Sequence, residues 1–149
     1  MANPLTEAMS AQGTYIATGD ASSPEGFTAE VAEVKNIGGP DEKADEIDVT
    51  HLRSPGGYRE FIQSFKDGGE LPLTMNFLPS DNTQDSSSGL RADFQSGAIK
   101  NRRIFYPDGT TCTFASWVKG IGTGAQVGNA LELNVTLRLV GPTVWEEAA

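Results

Sequence analysis

The sequence predicts a mainly β domain: an antiparallel sandwich or barrel with one flanking α-helix and a long extended arm. Two stretches alternate apolar and polar residues with period two. Leu131, Leu133, Val135, Leu137 and Leu139 share one face of "LELNVTLRLV", opposite Glu132, Asn134, Thr136 and Arg138. Leu71, Leu73, Met75 and Phe77 share one face of "LPLTMNFLP". This pattern belongs to half-buried antiparallel strands. The third observation is "RRIFYPDGTTCTFASWV", in which two β-prone runs meet at Pro107-Asp108-Gly109. Proline pre-sets φ, aspartate accepts a backbone N–H beyond the turn, and glycine tolerates positive φ, so the stretch reads as a hairpin.

The elements follow in chain order. "GTYIATGD" predicts a short strand closed by Gly19-Asp20. "FTAEVAEVKNIGGP" fits helical spacing through Val31, Val34 and Ile37, but the turn signals around it favour strand, and Gly38-Gly39-Pro40 stops it. Residues 38–57 carry Asp41, Glu42, Asp45, Glu46 and Asp48 between glycine-proline punctuation, with "EIDVTHL" as a modest strand signal. A connection of that length is usually functional, so it is expected to be an arm that orders against something else. "SPGGYREFIQSFKDGG" places Tyr58, Phe61, Ile62 and Phe65 at helical spacing, a candidate short helix. Pro72 points to a strand start or a sheet edge. "DSSSGLRADFQSG" predicts the clearer helix, with serines capping its start, Leu90 and Phe94 on one face, and Gly97 ending it. Lys100, Arg102 and Arg103 are expected to be a solvated approach to the next strand. "GIGTG" is expected to be a flexible hairpin connection.

Length and composition bound the function. The 149 residues suffice for one domain with its own core. A single cysteine, Cys112, excludes an intramolecular disulfide framework and is expected to be a small buried strand residue. No run approaches the ~18 apolar residues of a membrane span. "MANPLTEAMSAQGT" lacks the basic start and apolar block of a secretory signal, so assembly in a cytoplasm is expected. Twenty acidic residues outweigh eleven basic ones, for a formal net charge of −9, which argues against ordinary nucleic-acid binding. No catalytic set converges. His51 is the sole histidine, the carboxylates of 41–48 lack the calcium-loop pattern, and "GIGTG" lacks the lysine of a phosphate loop. Neither enzyme activity, cofactor nor metal is expected.

The order of these parts resembles the major tail tube proteins of long-tailed, lambda-like bacteriophages and of the related gene transfer agents. The resemblance spans about 13–142. It rests on the glycine-flanked approach "DGGELPLTMNFLP", the late Pro-Asp-Gly hairpin, and a closing alternating strand ending at Gly141-Pro142. It implies a tail-tube fold whose subunits form hexameric rings, stacked into a tube through which DNA leaves the capsid. Residues 1–12 would form an amino-terminal arm, 38–57 a long inter-ring loop, and 143–149 a short tail. The contact arm would comprise Asp41, Glu42, Lys43, Asp45, Glu46, Asp48, His51 and Arg53. Implied partners are further copies of the chain, a tape-measure protein, and the tail terminator and distal tail proteins. The implied place is a virion tail assembled in the host bacterial cytoplasm, without membrane contact. An acidic wall would let DNA slide unheld, and Glu30, Glu33, Glu132 and Asn134 on polar faces are the lumen candidates.

Two other readings stay open at this stage. One is the ring-and-tube protein of a contractile secretion machine. The other is a monomeric β-sandwich that binds carbohydrate or protein, or decorates a virion, with the arm as recognition loop and Trp117 or Trp145 as platform.

Overall fold

A computed structural model describes residues 8–147 of the chain. The first seven residues of the expected amino-terminal arm and the last two of the expected tail lie outside that range. Nine strands and one α-helix follow in order: β1 Tyr15–Thr18, β2 Ala29–Glu30, β3 Val34–Ile37, β4 Lys43–Asp48, β5 Phe61–Asp67, β6 Glu70–Asn76, α1 Leu90–Ser96, β7 Lys100–Phe105, β8 Thr111–Gly124 and β9 Glu132–Glu146. Seven strands form one antiparallel sheet in the order β2-β1-β7-β8-β9-β6-β3, and among the described residues β4 and β5 pair only with each other.

Chain length makes the large sheet curl. Strands β2 and β3 occupy its two opposite edges, yet only residues 31–33 separate them. Four virtual bonds of 3.8 Å reach at most ~15 Å, so the edges must come round toward each other. The sandwich-or-barrel expectation is thus met by a single sheet rolled on itself. Its seam is stitched by hydrogen bonds. The Val31 amide donates to the Ile16 carbonyl at 2.9 Å, and the Asn76 amide donates to the Glu33 carbonyl at 3.1 Å. Gln84 is buried beside the seam, where its amide nitrogen donates to the carbonyls of Ala32 and Asn76 at 3.1 and 3.0 Å.

The core lies inside the roll. Leu71, Leu73 and Met75 of β6 and Leu133, Val135, Leu137 and Leu139 of β9 are buried as the alternation requires, joined by Ile16, Ile104, Cys112, Phe114 and Val118. Phe77 packs against that cluster, whereas Leu131 precedes β9 and is exposed. Strand β6 is not an edge, since it lies between β9, which it pairs with across all seven residues, and β3. Pro72 is tolerated because its backbone faces the short strand β3, where its carbonyl accepts from Gly38 at 2.8 Å. The missing N–H therefore leaves the β6–β9 ladder intact. Around Gly109, at φ 95°, the predicted turn closes with Tyr106 and Thr110 paired at 2.9 Å.

Several local expectations are corrected. Residues 58–67 are not helical: Phe61–Asp67 is β5, the second strand of a hairpin with β4. Gly120, Gly122 and Gly124 lie inside β8 rather than in a connection. Strand β9 does not stop at Gly141-Pro142. That pair bulges, with Gly141 at φ 77°, and the strand continues to Glu146 opposite Thr111, so residues 143–146 are no tail. Helix α1 begins at Gly89 without a side-chain cap; the serines belong to the preceding turn, whose amides Asp85 accepts. Phe94 is exposed, and it is Asp93 that turns inward with Leu90.

The basic trio is also not a solvated approach. It lies within β7, where alternation puts Arg102 on the core side beside Ile104. The Arg102 guanidinium donates to Asp93 Oδ2 at 2.6 Å and to Ser116 Oγ at 2.9 Å. Lys100 holds the other Asp93 oxygen at 2.6 Å. Arg103 points outward over the Phe27 ring at 4.2 Å.

Candidate interaction surfaces

The arm is a projecting hairpin. Its first strand, β4, carries Asp45, Glu46 and Asp48 with Lys43, directly after Asp41 and Glu42. His51 and Arg53 follow in the turn of residues 49–60. The turn is internally bonded. Glu60 accepts from Ser54 Oγ at 2.6 Å and faces His51 Nε2 at 3.4 Å, while its amide donates to Thr50 Oγ1 at 2.9 Å. Arg59 lies 3.8 Å from Asp48, whose carboxyl is held below its usual range by hydrogen bonds from Thr50. The base is fixed to the sheet by Thr143 donating to Glu42 at 2.5 Å and Arg138 donating to Asp67 at 2.8 Å. Gly69, at φ 76°, lets the two legs meet there, since a Cβ would fall 2.1 Å from the Asp41 carbonyl oxygen.

Every residue of β4 is exposed, and all of β5 except Ser64. Register explains why this matters. Ile47 lies opposite Ile62, with Val49 on the same side, whereas Phe61 projects from the other side with Glu46 and Asp48; a bulge at residues 64–65, opposite Asp45, shifts the register before Phe65. The hairpin thus presents apolar groups on both faces, and nothing within the described residues covers either. A lone two-stranded hairpin with exposed apolar groups is marginal in water. The sequence reading missed Phe61, Ile62 and Phe65 as arm residues. Phe61, Ile62 and Phe65 fall at helical spacing, and the bulge at residues 64–65 interrupts the strand period that would have set them apart from a helix.

A second surface is the outward face of β3, β6, β9 and the distal part of β8. Glu132 and Asn134 lie there on β9, and Asn134 accepts from Thr74 Oγ1 at 3.1 Å. Glu33 joins them from the seam, where its carboxylate accepts from Asn76 Nδ2 at 3.1 Å. Glu30 does not: it sits on β2 at the other edge of the sheet. Sequence reasoning missed the charged partners on this face. Lys35 reaches Glu132 at 3.8 Å, Lys119 bonds Glu70, and Arg138 bonds Asp67. They come from separate strands, so no spacing in the chain announces them. Beyond Ser116, β8 loses β7 as a neighbour, and only β9 pairs with 117–124 among the described residues. That leaves a free sheet edge.

Trp145 stacks on Tyr106 with ring centroids 5.8 Å apart, and Trp117 lies partly buried opposite Arg138. Among the described residues no three His, Cys, Asp or Glu side chains cluster as metal ligands, and no helix is long and apolar enough to cross a membrane.

A family model described as the lambda phage tail tube protein matches residues 12–146. No curated protein matches the chain by sequence. Among solved structures, a chain from the virion of a native gene transfer agent particle aligns with a TM-score of 0.70 at 16% identity, over 93% of this chain and 99% of that one. A chain from the tail of an empty gene transfer agent particle, solved with C6 symmetry, gives 0.67 at 15% identity over 90% and 96%. A chain from the extended sheath–tube complex of an extracellular contractile injection system gives 0.67 at 11% identity over 97% and 95%. At these identities the likeness is one of fold.

Proposed function

The chain belongs to the lambda phage tail tube protein family, and from that premise we propose that its copies close into hexameric rings, stacked into a tail tube through which DNA passes without being bound. It is a structural component of a virion tail, not an enzyme. The observation that carries the assembly reading is the β4–β5 hairpin, apolar on both faces and uncovered among the described residues. Neighbouring copies supply the cover, one from each side. The contact arm accordingly runs from Asp41 to Asp67, longer than the sequence placed it, and includes Phe61, Ile62 and Phe65 beside Asp41, Glu42, Lys43, Asp45, Glu46, Asp48, His51 and Arg53. Six-fold closure is supported by the C6 symmetry of the related gene transfer agent tail. The free edge of β8 is the part of the sheet available for pairing with the next copy in a ring. The face bearing Glu33, Glu132 and Asn134 then lines the bore. A tape-measure protein inside the tube and terminator and distal tail proteins at its ends complete the proposed partners.

Negative-stain microscopy of the purified chain tests the reading. Rings or tubes are expected, more readily as rising ionic strength screens repulsion between acidic subunits. Lone particles at every salt and protein concentration would refute it. Replacing residues 43–66 by a short flexible linker should leave a folded subunit that no longer stacks, and intact tubes from that variant would remove the arm's role. One other reading has an observation in its favour: the injection-system tube chain matches over nearly its whole length. In that case the tube would recruit a contractile sheath, and binding of a sheath subunit to purified tubes separates the two.

A further inference from the structure

We propose that the outward face of β3, β6, β9 and distal β8 is a charge-masked track for a polyanionic duplex, in which Lys35, Lys119 and Arg138 are each held by a carboxylate of the same chain. The proposal rests on the tube reading, with this face turned to the bore. It replaces an acidic wall by a balanced one. The face carries Glu33, Asp67, Glu70 and Glu132 against Lys35, Lys119 and Arg138, and Asp41 and Lys43 border it beside Asp67 and cancel each other, so only one of the chain's nine net negative charges lies on it.

The pairing is built by register. Glu70 lies opposite Arg138 across β6 and β9. Arg138 donates to Asp67 Oδ2 at 2.8 Å while Lys119 reaches back to Glu70, so four charges close into a neutral cluster. Lys35 faces Glu132 at 3.8 Å. The electrostatics agree: Arg138 holds the Asp67 carboxyl below its ordinary range, Lys119 does the same for Glu70, and Asp67 raises Arg138 in return. Solvent-exposed pairs of this kind add little to folding stability. Their larger consequence is for what passes over them. A phosphate gains affinity by displacing counterions onto a free lysine or arginine. Here that position is already taken by a carboxylate, so the duplex finds neither a hold nor a strongly repelling wall. Between the charges the wall is backbone: Gly120, Gly122 and Gly124 lie opposite Thr136, Asn134 and Glu132, and a Cβ on any of them would meet nothing within 4 Å.

The test unmasks the cations. Tubes of the full chain are assembled in the presence of linear duplex DNA, treated with nuclease and sedimented. Wild-type tubes should retain no protected DNA. Tubes of Asp67→Asn/Glu70→Gln/Glu132→Gln should retain it, and release it on a log–log salt slope of roughly 0.9 per freed cation contact. The single variant Glu70→Gln, which frees Lys119 alone, should show a weaker form of the same retention and serves if the triple variant does not assemble. Retention by wild-type tubes, or none by either variant, overturns the proposal while leaving the tube reading intact. Orientation is read separately. Asn134→Cys should react with a bulky maleimide as free subunit and be protected within tubes, since native Cys112 is buried and does not compete. Full reaction within tubes places this face outside and overturns the proposal. Absence of tubes from the wild-type chain overturns the tube reading itself.

Discussion

The buried Arg102–Asp93 pair makes an asymmetric prediction. Arg102 is fully enclosed, and its charge is answered only by Asp93, because Ser116 offers neutral oxygens at 2.9 and 3.3 Å. Asp93 by contrast has two cations, Arg102 and Lys100, each at 2.6 Å, and the Lys100 side chain is 37% exposed. Asp93→Leu therefore strands a guanidinium in the core, a change that typically costs about 3–5 kcal/mol. Arg102→Met leaves Asp93 paired with Lys100 and fills most of the vacated stem. The losses there are the charge-assisted bond to Asp93, about 1.5–3 kcal/mol, and the weaker bonds to the neutral Ser116 oxygens, with no charge left unpaired in the core. The double variant Arg102→Met/Asp93→Leu should regain most of the loss, since an apolar replacement of a buried pair is often neutral.

Urea unfolding followed by Trp117 and Trp145 fluorescence measures all three, with subunits kept dilute so that assembly does not add apparent stability. A domain of this size is stable by about 5–15 kcal/mol, so the Asp93 variant should remain measurable. Its midpoint should fall well below that of Arg102→Met with the slope unchanged. Equal midpoints would refute the reasoning, because Arg102 would then be reaching water.

Four further outcomes are expected. Val135→Asp puts a charge among Leu73, Ile121 and the core leucines and should abolish folding by circular dichroism. Cys112, pushed up to about 11 by burial, should resist thiol reagents at mildly alkaline pH until the chain is unfolded. Asp20, drawn down to about 2 by hydrogen bonds from Ser22 and Gly26, stabilises its loop above the unfolded carboxyl pKa near 3.9, and that contribution is lost as pH falls toward 2. NMR titration of the Ser22 and Gly26 amides should show the low midpoint, and one near 4 would contradict it. A Cβ at Gly122 meets nothing within 4 Å, so Gly122→Thr should raise the subunit's stability by about 0.5–1 kcal/mol in the same urea assay.

How much of this was legible depends on what a residue's neighbours along the chain reveal. The β6 and β9 alternation was, because one face of each meets the core, and the Pro-Asp-Gly turn was, because its chemistry is local. Phe61, Ile62 and Phe65 were misread as a helix face because β5 has no buried side whose alternation would mark it as a strand, and a bulge at residues 64–65 interrupts its period. Arg102 looked solvated because its partner Asp93 is supplied by another element. The charge pairs of the outward face were invisible for the same reason: Lys119 and Glu70 are 49 residues apart.

The acidity of the chain has a local cause. Asp20, Asp48, Asp67, Asp81, Asp85 and Asp108 each accept the backbone amide two residues on, from Ser22, Thr50, Gly69, Thr83, Ser87 and Thr110. These are turn residues first and charges second, and asparagine makes the same turn. Five of them lie off the outward face. Replacing Asp20, Asp48, Asp81, Asp85 and Asp108 by asparagine takes the net charge from −9 to −4 while keeping each acceptor in place. The variant should fold, and its assembly should depend less on salt because repulsion between copies is smaller. Its tubes should still hold no DNA, since the masked face is untouched. If they retained DNA, the freedom of the duplex to slide would follow from the overall acidity of the wall, and the pairing of Lys35, Lys119 and Arg138 would be incidental to it.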